Sequence, residues 1–247
     1  MTLVVKFGTS LVVGAGGSVR HGVLRRRAAE IAGIVKGGEP VAVVSSGAIA
    51  LGLAQLGLER RPRALPKLQA ASALGQARLQ QTWEKALARE GVPAAQILLT
   101  AGDVADRAAY VNARNALTAL FALGAVPIVN ENDATATDEI AFGDNDALAA
   151  HVAVLVRARL LVLLTEVDGV YTRAPGTPEA ELVREGSAVD GVAFGAGSVL
   201  GRGGMRSKVA AARMVSEAGI PTNGFRVPRS PSERGVPAAR SRAATRL

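Results

Sequence analysis

Four apolar runs of strand length break directly into small or polar residues. Leu3-Val-Val-Lys6 opens into Phe7-Gly-Thr-Ser10, Val41–Val44 into Ser45-Ser-Gly47, Val126-Pro-Ile-Val129 into Asn130-Glu-Asn-Asp133, and Leu160–Leu164 into Thr165-Glu-Val-Asp-Gly169. A strand that is apolar on both faces belongs inside a sheet covered by helices on either side. Loops of one chemical character at several such strand ends imply parallel strands whose carboxyl ends share one edge, where open α/β sheets take ligands. Helical periodicity fills the gaps: Leu24, Ala28, Ile31 and Val35 before Gly37-Gly38, a long segment from Gln69 to Glu90, Leu117, Leu120 and Phe121, then Ala147, Leu148, Val152 and Leu155, and finally Val209, Ala212, Val215 and Ala218. A further strand is expected at Gln96–Leu99, and Gly14–Gly17 reads as a flexible turn. The alternation predicts a doubly wound α/β domain with a mainly parallel sheet.

Composition narrows the functional classes. Among 247 residues, 49% are hydrophobic and only 3% aromatic, a mix suited to close helix-on-sheet packing. There is no cysteine, which excludes disulfides and thiolate metal sites. The most apolar window, His151–Leu164, is interrupted by Arg157 and Arg159 and is too short for a membrane span, and no signal-peptide pattern develops after Met1. A soluble, cytoplasmic protein is the expectation. Five of the eight net positive charges lie in 222–247, where six arginines face one glutamate, so the body carries only +3. That balance, with few aromatics between the basic residues, does not suit a base-stacking surface.

Three stretches carry the chemistry. Lys6, at a strand end beside Gly8 and Thr9, is placed to give a point charge to phosphate oxygens cradled by backbone N–H groups, or simply to reach solvent. Gly201-Arg-Gly-Gly-Met-Arg-Ser-Lys208 precedes a helix and suits a phosphate cradle, although its spacing is not that of a Walker loop. The dense amides and carboxylates of Asn130–Asp133 and Asp144-Asn-Asp146 read either as a ligand site or as an Asx-rich turn with Asp144 as helix cap. His21 and His151 are expected to be structural or exposed.

Taken in order, Val5-Lys-Phe-Gly-Thr-Ser, Ser45-Ser-Gly-Ala-Ile-Ala, Val129-Asn-Glu-Asn-Asp, Gly143-Asp-Asn-Asp, Leu164-Thr-Glu-Val-Asp-Gly-Val-Tyr-Thr and Gly203-Gly-Met-Arg-Ser-Lys resemble the amino acid kinase family over roughly residues 1–221. Within the family, Asn-Glu-Asn-Asp followed by Gly-Asp-Asn-Asp resembles the branch that phosphorylates the side-chain carboxylate of L-glutamate, the first step of proline biosynthesis. The resemblance implies a three-layer αβα sandwich with ATP at one end of the central sheet and glutamate at the other. It implies that Lys6 and Lys208 stabilise the transferring phosphoryl and that Asp146 lies between their ammonium groups. Ser46, Asp133 and Asn145 would bind glutamate, supported by Asn130 and Asp144. Gly8, Thr9, Thr165, Glu166 and the loop Arg202, Gly203, Gly204, Met205, Arg206, Ser207 and Lys208 would line the nucleotide. Mg²⁺ would accompany ATP, with no side chain assigned to a metal. A homo-oligomer and feedback by proline are also implied.

The departures have consequences. Glu166 stands where the family often has Asp, and Arg202 and Arg206 flank the Gly-Gly-Met turn where smaller polar residues are commoner, so altered ATP affinity is expected. The chain is expected to lack the RNA-binding-type PUA domain of many relatives, hence no nucleic-acid partner; no membrane partner is expected either. A sibling kinase of the acetylglutamate, aspartate or UMP type, a catalytically impaired ligand-binding homologue and a nucleic-acid binder using the Arg-rich tail are the alternatives. The stretch 222–247, rich in Arg, Pro and Ser, lacks an apolar run of strand length and reads as an out-of-frame, disordered ending. The sheet is then expected to lack a strand beside the nucleotide edge, with stability and ATP binding impaired.

Overall fold

The computed structural model describes residues 1–58, 60–136, 144–165, 170–171, 181–183, 204–227 and 245–246. Strands β1 (Leu3–Phe7), β2 (Val41–Ser45), β3 (Ala94–Leu99), β4 (Val126–Glu131), β5 (Leu160–Thr165) and β8 (Thr222–Arg226) form a parallel sheet in the order β3-β4-β2-β1-β5-β8. A two-residue strand β9 (Thr245–Arg246) joins β8 antiparallel. A separate antiparallel ladder pairs β6 (Val170–Tyr171) with β7 (Leu182–Val183). Register aligns Lys6 with Val44 and Leu163, and Val44 with Val129. The loops following all four apolar runs therefore emerge on one edge.

Side chains alternating along each strand feed two cores. Leu3, Val5 and Phe7 of β1, with Val41 and Val43 of β2, pack among α2 (His21–Lys36), α3 (Ala48–Gln55) and α4 (Leu65–Ala88). Val4, Ala42 and Val44 face the other way, toward α6 (Arg107–Ala122), α7 (Asn145–Leu155) and α8 (Met205–Glu217). Helices on both faces of one sheet make the expected three-layer αβα sandwich. The single Trp83, fully buried on α4, stands edge-on to Phe7 with centroids 4.8 Å apart and donates its indole N–H to Ser45 Oγ at 3.0 Å. One side chain thus buries a large apolar area and pins the carboxyl ends of β1 and β2 from beneath.

Helices α3 and α4 meet backbone to backbone. A Cβ on Gly52 would lie 1.8 Å from the Ala71 carbonyl oxygen, and one on Gly75 the same distance from that of Ala48. Only glycine permits this approach. Gly17, expected in a flexible turn, is instead packed: at φ +72° its missing Cβ would strike Ala54 of α3 at 2.1 Å, and Val13 bridges Val19 across the turn.

The expectation that no strand follows Pro221 is corrected for Thr222–Val227. Thr222–Arg226 pair with Leu161–Thr165, Val227 N–H donates to the Thr165 carbonyl at 2.8 Å, and Thr222 and Val227 are buried. Parallel pairing draws on backbone groups that any residue possesses, so a Thr-Asn-Gly-Phe-Arg strand forms without an apolar run once β5 offers a free edge. Residues 228–244 and 247, the rest of the expected tail, lie outside the described residues. The β5 edge is therefore paired.

Candidate active site

Asp144 begins the site by starting a helix. Its carboxylate accepts the backbone N–H groups of Asp146 (2.8 Å) and Ala147 (3.1 Å), the N-cap arrangement that satisfies otherwise orphaned donors of α7. With the first turn held, Asp146 projects inward, fully buried. Lys6 Nζ lies 2.6 Å from its Oδ1 and Lys208 Nζ 2.9 Å from its Oδ2, with side-chain exposures of 5% and 15%. The Ser207 hydroxyl stands 2.8 Å from Oδ2 and 2.9 Å from the Gly204 carbonyl. It has one proton for two acceptors, and the carboxylate is the stronger. Gly204 N–H donates back to Ser207 Oγ at 3.0 Å, so the turn entering α8 is tied to the same carboxylate.

The electrostatics follow from counting charges. Two ammonium groups share one carboxylate, so these three nearly dry side chains sum to +1, with the Asp144 carboxylate acting on Lys6 from further off. Burial is the largest influence on Lys6 and pushes its ammonium below its ordinary pKa; repulsion from Lys208 acts the same way, and Asp146 opposes both. Burial alone would raise the Asp146 carboxyl, but Lys6 and Lys208 together outweigh it and hold the carboxyl below its ordinary value. Buried ion pairs contribute little net stability even when balanced. An unbalanced one calls for an anion. Each ammonium carries three N–H donors and gives Asp146 only one direction of contact, so both retain donors for such a ligand.

Beside this clamp runs a neutral network. Asn145 Nδ2 donates to Asn130 Oδ1 (2.7 Å), Asn130 Nδ2 to Gln76 Oε1 (2.9 Å), and Gln76 Nε2 to Gln96 Oε1 (3.3 Å). Ser72 Oγ donates to Asp133 Oδ2 at 2.6 Å, and Gln69 Nε2 to the Ala136 carbonyl at 3.1 Å. Asn130, Asn145, Ser72 and Gln76 are all buried, whereas Asp133 is half-buried. Ser46 enters from β2: its N–H donates to the Phe7 carbonyl at 3.0 Å, which brings the Ser-Ser-Gly turn against the end of β1.

A family model described as the amino acid kinase family matches residues 1–222. The chain belongs to the amino acid kinase family. It is 49% identical over 225 residues to glutamate 5-kinases of Burkholderia thailandensis, Burkholderia mallei and Burkholderia pseudomallei, an overlap of 89% of this chain and 60% of each relative. The chain thus spans about three fifths of the length of those relatives.

In this amino acid kinase chain, Lys6, Asp146 and Lys208 come together, as do Asn130 and Asn145, with Asp133 three residues beyond Asn130. Gly8 lies beside the clamp, its missing Cβ 3.9 Å from Lys6 Nζ, and Thr9 begins the short helix α1 (Thr9–Val12) next to it. Thr165 ends β5, bonded through its carbonyl to Val227. Gly204, Met205, Arg206 and Ser207 form the entry to α8. Glu166, Arg202 and Gly203 lie outside the described residues. His151 is half-buried on α7, where burial lowers its imidazole pKa, and His21 is exposed at the start of α2. Sequence reading missed Gln69, Ser72 and Gln76. Their signal is a polar stripe at helical spacing on a helix whose neighbouring Leu68, Ala71 and Leu79 are buried.

Proposed function

We propose that this chain transfers the γ-phosphoryl group of ATP to the side-chain carboxylate of L-glutamate, giving L-glutamyl 5-phosphate and ADP. A carboxylate oxygen attacks the γ-phosphorus as the bond from that phosphorus to the β,γ-bridging oxygen breaks, and ADP carries away the electron pair. The acceptor is already ionised near neutral pH, so no general base is required. What the reaction does require is positive charge over the equatorial oxygens of the transferring group and alignment of its two partners. The observation that carries the reading is the buried carboxylate shared by two ammonium groups, which holds Lys6 and Lys208 in place and leaves positive charge for a phosphate chain.

We assign the division of labour by the family resemblance. Lys6, Lys208 and the backbone around Gly8 would face the phosphates, with Thr165 and the Gly204–Ser207 turn toward the rest of the nucleotide. Ser46, Asp133 and Asn145 would hold glutamate, supported by Asn130 and Asp144. Asp146 keeps the two ammonium groups at fixed separation. Magnesium, which supplies charge neutralisation when bound with ATP, would be carried mainly by phosphate oxygens and water. The same reading brings a place at the head of proline biosynthesis, a cytoplasmic location, self-association and control by proline. Among the described residues no helix is long and apolar enough to cross a membrane.

The test is ATP-dependent hydroxamate formation with hydroxylamine present, across glutamate, acetylglutamate and aspartate. Product with glutamate alone supports the reading; product with either other acid and none with glutamate overturns the substrate. Release of ADP without any trapped acyl phosphate would overturn the reaction.

A further inference from the structure

The polar stripe of α4 matches the segment after β4 step for step. Gln69 meets Ala136, Ser72 meets Asp133 and Gln76 meets Asn130: three contacts in which the helix advances by three and four residues while the loop runs back by three and three. A helix presents positions three and four apart on one face, so the three side chains form a single rail antiparallel to the loop. The rail is rigid for a second reason. α4 is pressed against α3 through the Gly52 and Gly75 contacts, which leave no room for sliding. It is also seated beneath the sheet edge by Trp83.

We propose that Gln69, Ser72 and Gln76 are positioning residues that set the acid-binding half of the site, and that α4 thereby fixes where the acceptor carboxylate sits relative to the clamp. This rests on the functional reading above. Ser72 Oγ–H donates a hydrogen bond to Asp133 Oδ2 and orients that carboxylate. Gln76 accepts from Asn130 Nδ2, which turns Asn130 Oδ1 toward Asn145 Nδ2. With its N–H end so committed, Asn145 has its oxygen left as the acceptor, the polarity needed for a substrate ammonium group. No hydrogen bond joins the three rail residues to the Lys6–Asp146–Lys208 clamp, so their effect should fall on the acid and not on the nucleotide.

The experiment compares the full-length chain with Ser72→Ala, Ser72→Thr and the double variant Ser72→Ala/Gln76→Met. Two readouts are used: steady-state kinetics, and hydrogen exchange of the ligand-free proteins followed by mass spectrometry. Loss of a hydrogen bond to a charged group predicts a rise of about tenfold in the KM for glutamate for Ser72→Ala, and more for the double variant. The KM for ATP should stay within about twofold, and Ser72→Thr, which keeps the hydroxyl, should recover most of the loss. Amides of 130–136 should exchange faster in the double variant while those of α7 beyond its first turn do not. An unchanged glutamate KM in active variants, or equal shifts in both Michaelis constants, overturns the rail as a positioning device. Unaltered exchange across 130–136 overturns it whatever the substrate proves to be. Absence of activity in the parent chain alone counts against the functional reading, and the exchange experiment still decides the rail.

Discussion

Two regions built on different physics meet at the first turn of α7. On one side Asp146 holds two ammonium groups, all three side chains largely out of water and one positive charge left over. On the other, its neighbour Asn145 opens a chain of neutral amides through Asn130 to Gln76, joined donor to acceptor at each link. The mismatch in the first suits an anionic ligand. The satisfaction of the second marks a place that holds its shape before any ligand arrives. Damage to the clamp should therefore appear in turnover, and damage to the network in affinity for the acid.

The harshest way to break the contrast is to remove the shared charge. Asp146→Asn keeps the size of the side chain but leaves two buried ammonium groups facing each other. Removing one partner of a buried pair costs about 3–5 kcal/mol of stability. A fall in kcat of about 10³-fold is expected as Lys6 and Lys208 lose their placement, checked by single-turnover phosphoryl transfer alongside chemical denaturation. A variant that turned over at the parent rate would show that the clamp is structural.

The pH profile sharpens the contrast. Burial and Lys208 lower the Lys6 pKa, so the folded protein loses this charge before an ordinary lysine does as pH rises. The kcat/KM for ATP, which reports the free enzyme, should decline on an alkaline limb below the ordinary lysine value of 10.5, while the neutral amide network, having no comparable group, should add no limb there. Asp146 sets the acid side. Its pKa is lowered in the folded state, so its contribution to stability is present above its ordinary value of 3.8 and is lost as pH falls below 3.8 through the folded value, because the unfolded chain takes up that proton first. Urea titrations at stepped pH would show this loss in the parent and not in Asp146→Asn.

The smallest expected effect lies beneath both regions. Trp83→Phe keeps an aromatic ring edge-on to Phe7 but removes the donor to Ser45, the lost hydrogen bond costing about 1 kcal/mol. Melting temperature should fall by a few degrees, with kcat and both Michaelis constants within about twofold. A large kinetic change would mean that the Ser45-Ser46 turn is set from below more tightly than either region.

Much of this was legible because short strands run straight into their functional loops. Lys6, Ser46, Asn130 and Thr165 each sit at or just past the end of an apolar run, and register alone carries them to one edge. The meeting of Lys6, Asp146 and Lys208 is a property of the fold, since residues so far apart in the chain have no local signal for contact. The rail on α4 was illegible for another reason: periodicity tells which helix face is polar but not whether that face meets water or a loop. Ser72 and Gln76 are as polar as a solvent-facing pair and are buried. Strand β8 escaped because hydropathy reports side chains, while its place beside β5 is held by backbone hydrogen bonds and by the single apolar Val227 beyond it.

The division of the site into a phosphoryl half and an acid half is tested most directly by steady-state kinetics of Lys208→Ala and Asp133→Ala in one assay. Lys208→Ala should lower kcat by about 10²-fold with the glutamate KM nearly unchanged, because its contact strengthens as charge develops on the transferring group. Asp133→Ala should raise the glutamate KM by at least about tenfold and leave the KM for ATP in place. Crossed effects of this kind are the result predicted. Parallel effects, with both variants losing kcat alone or both losing affinity for the same substrate, would contradict the division.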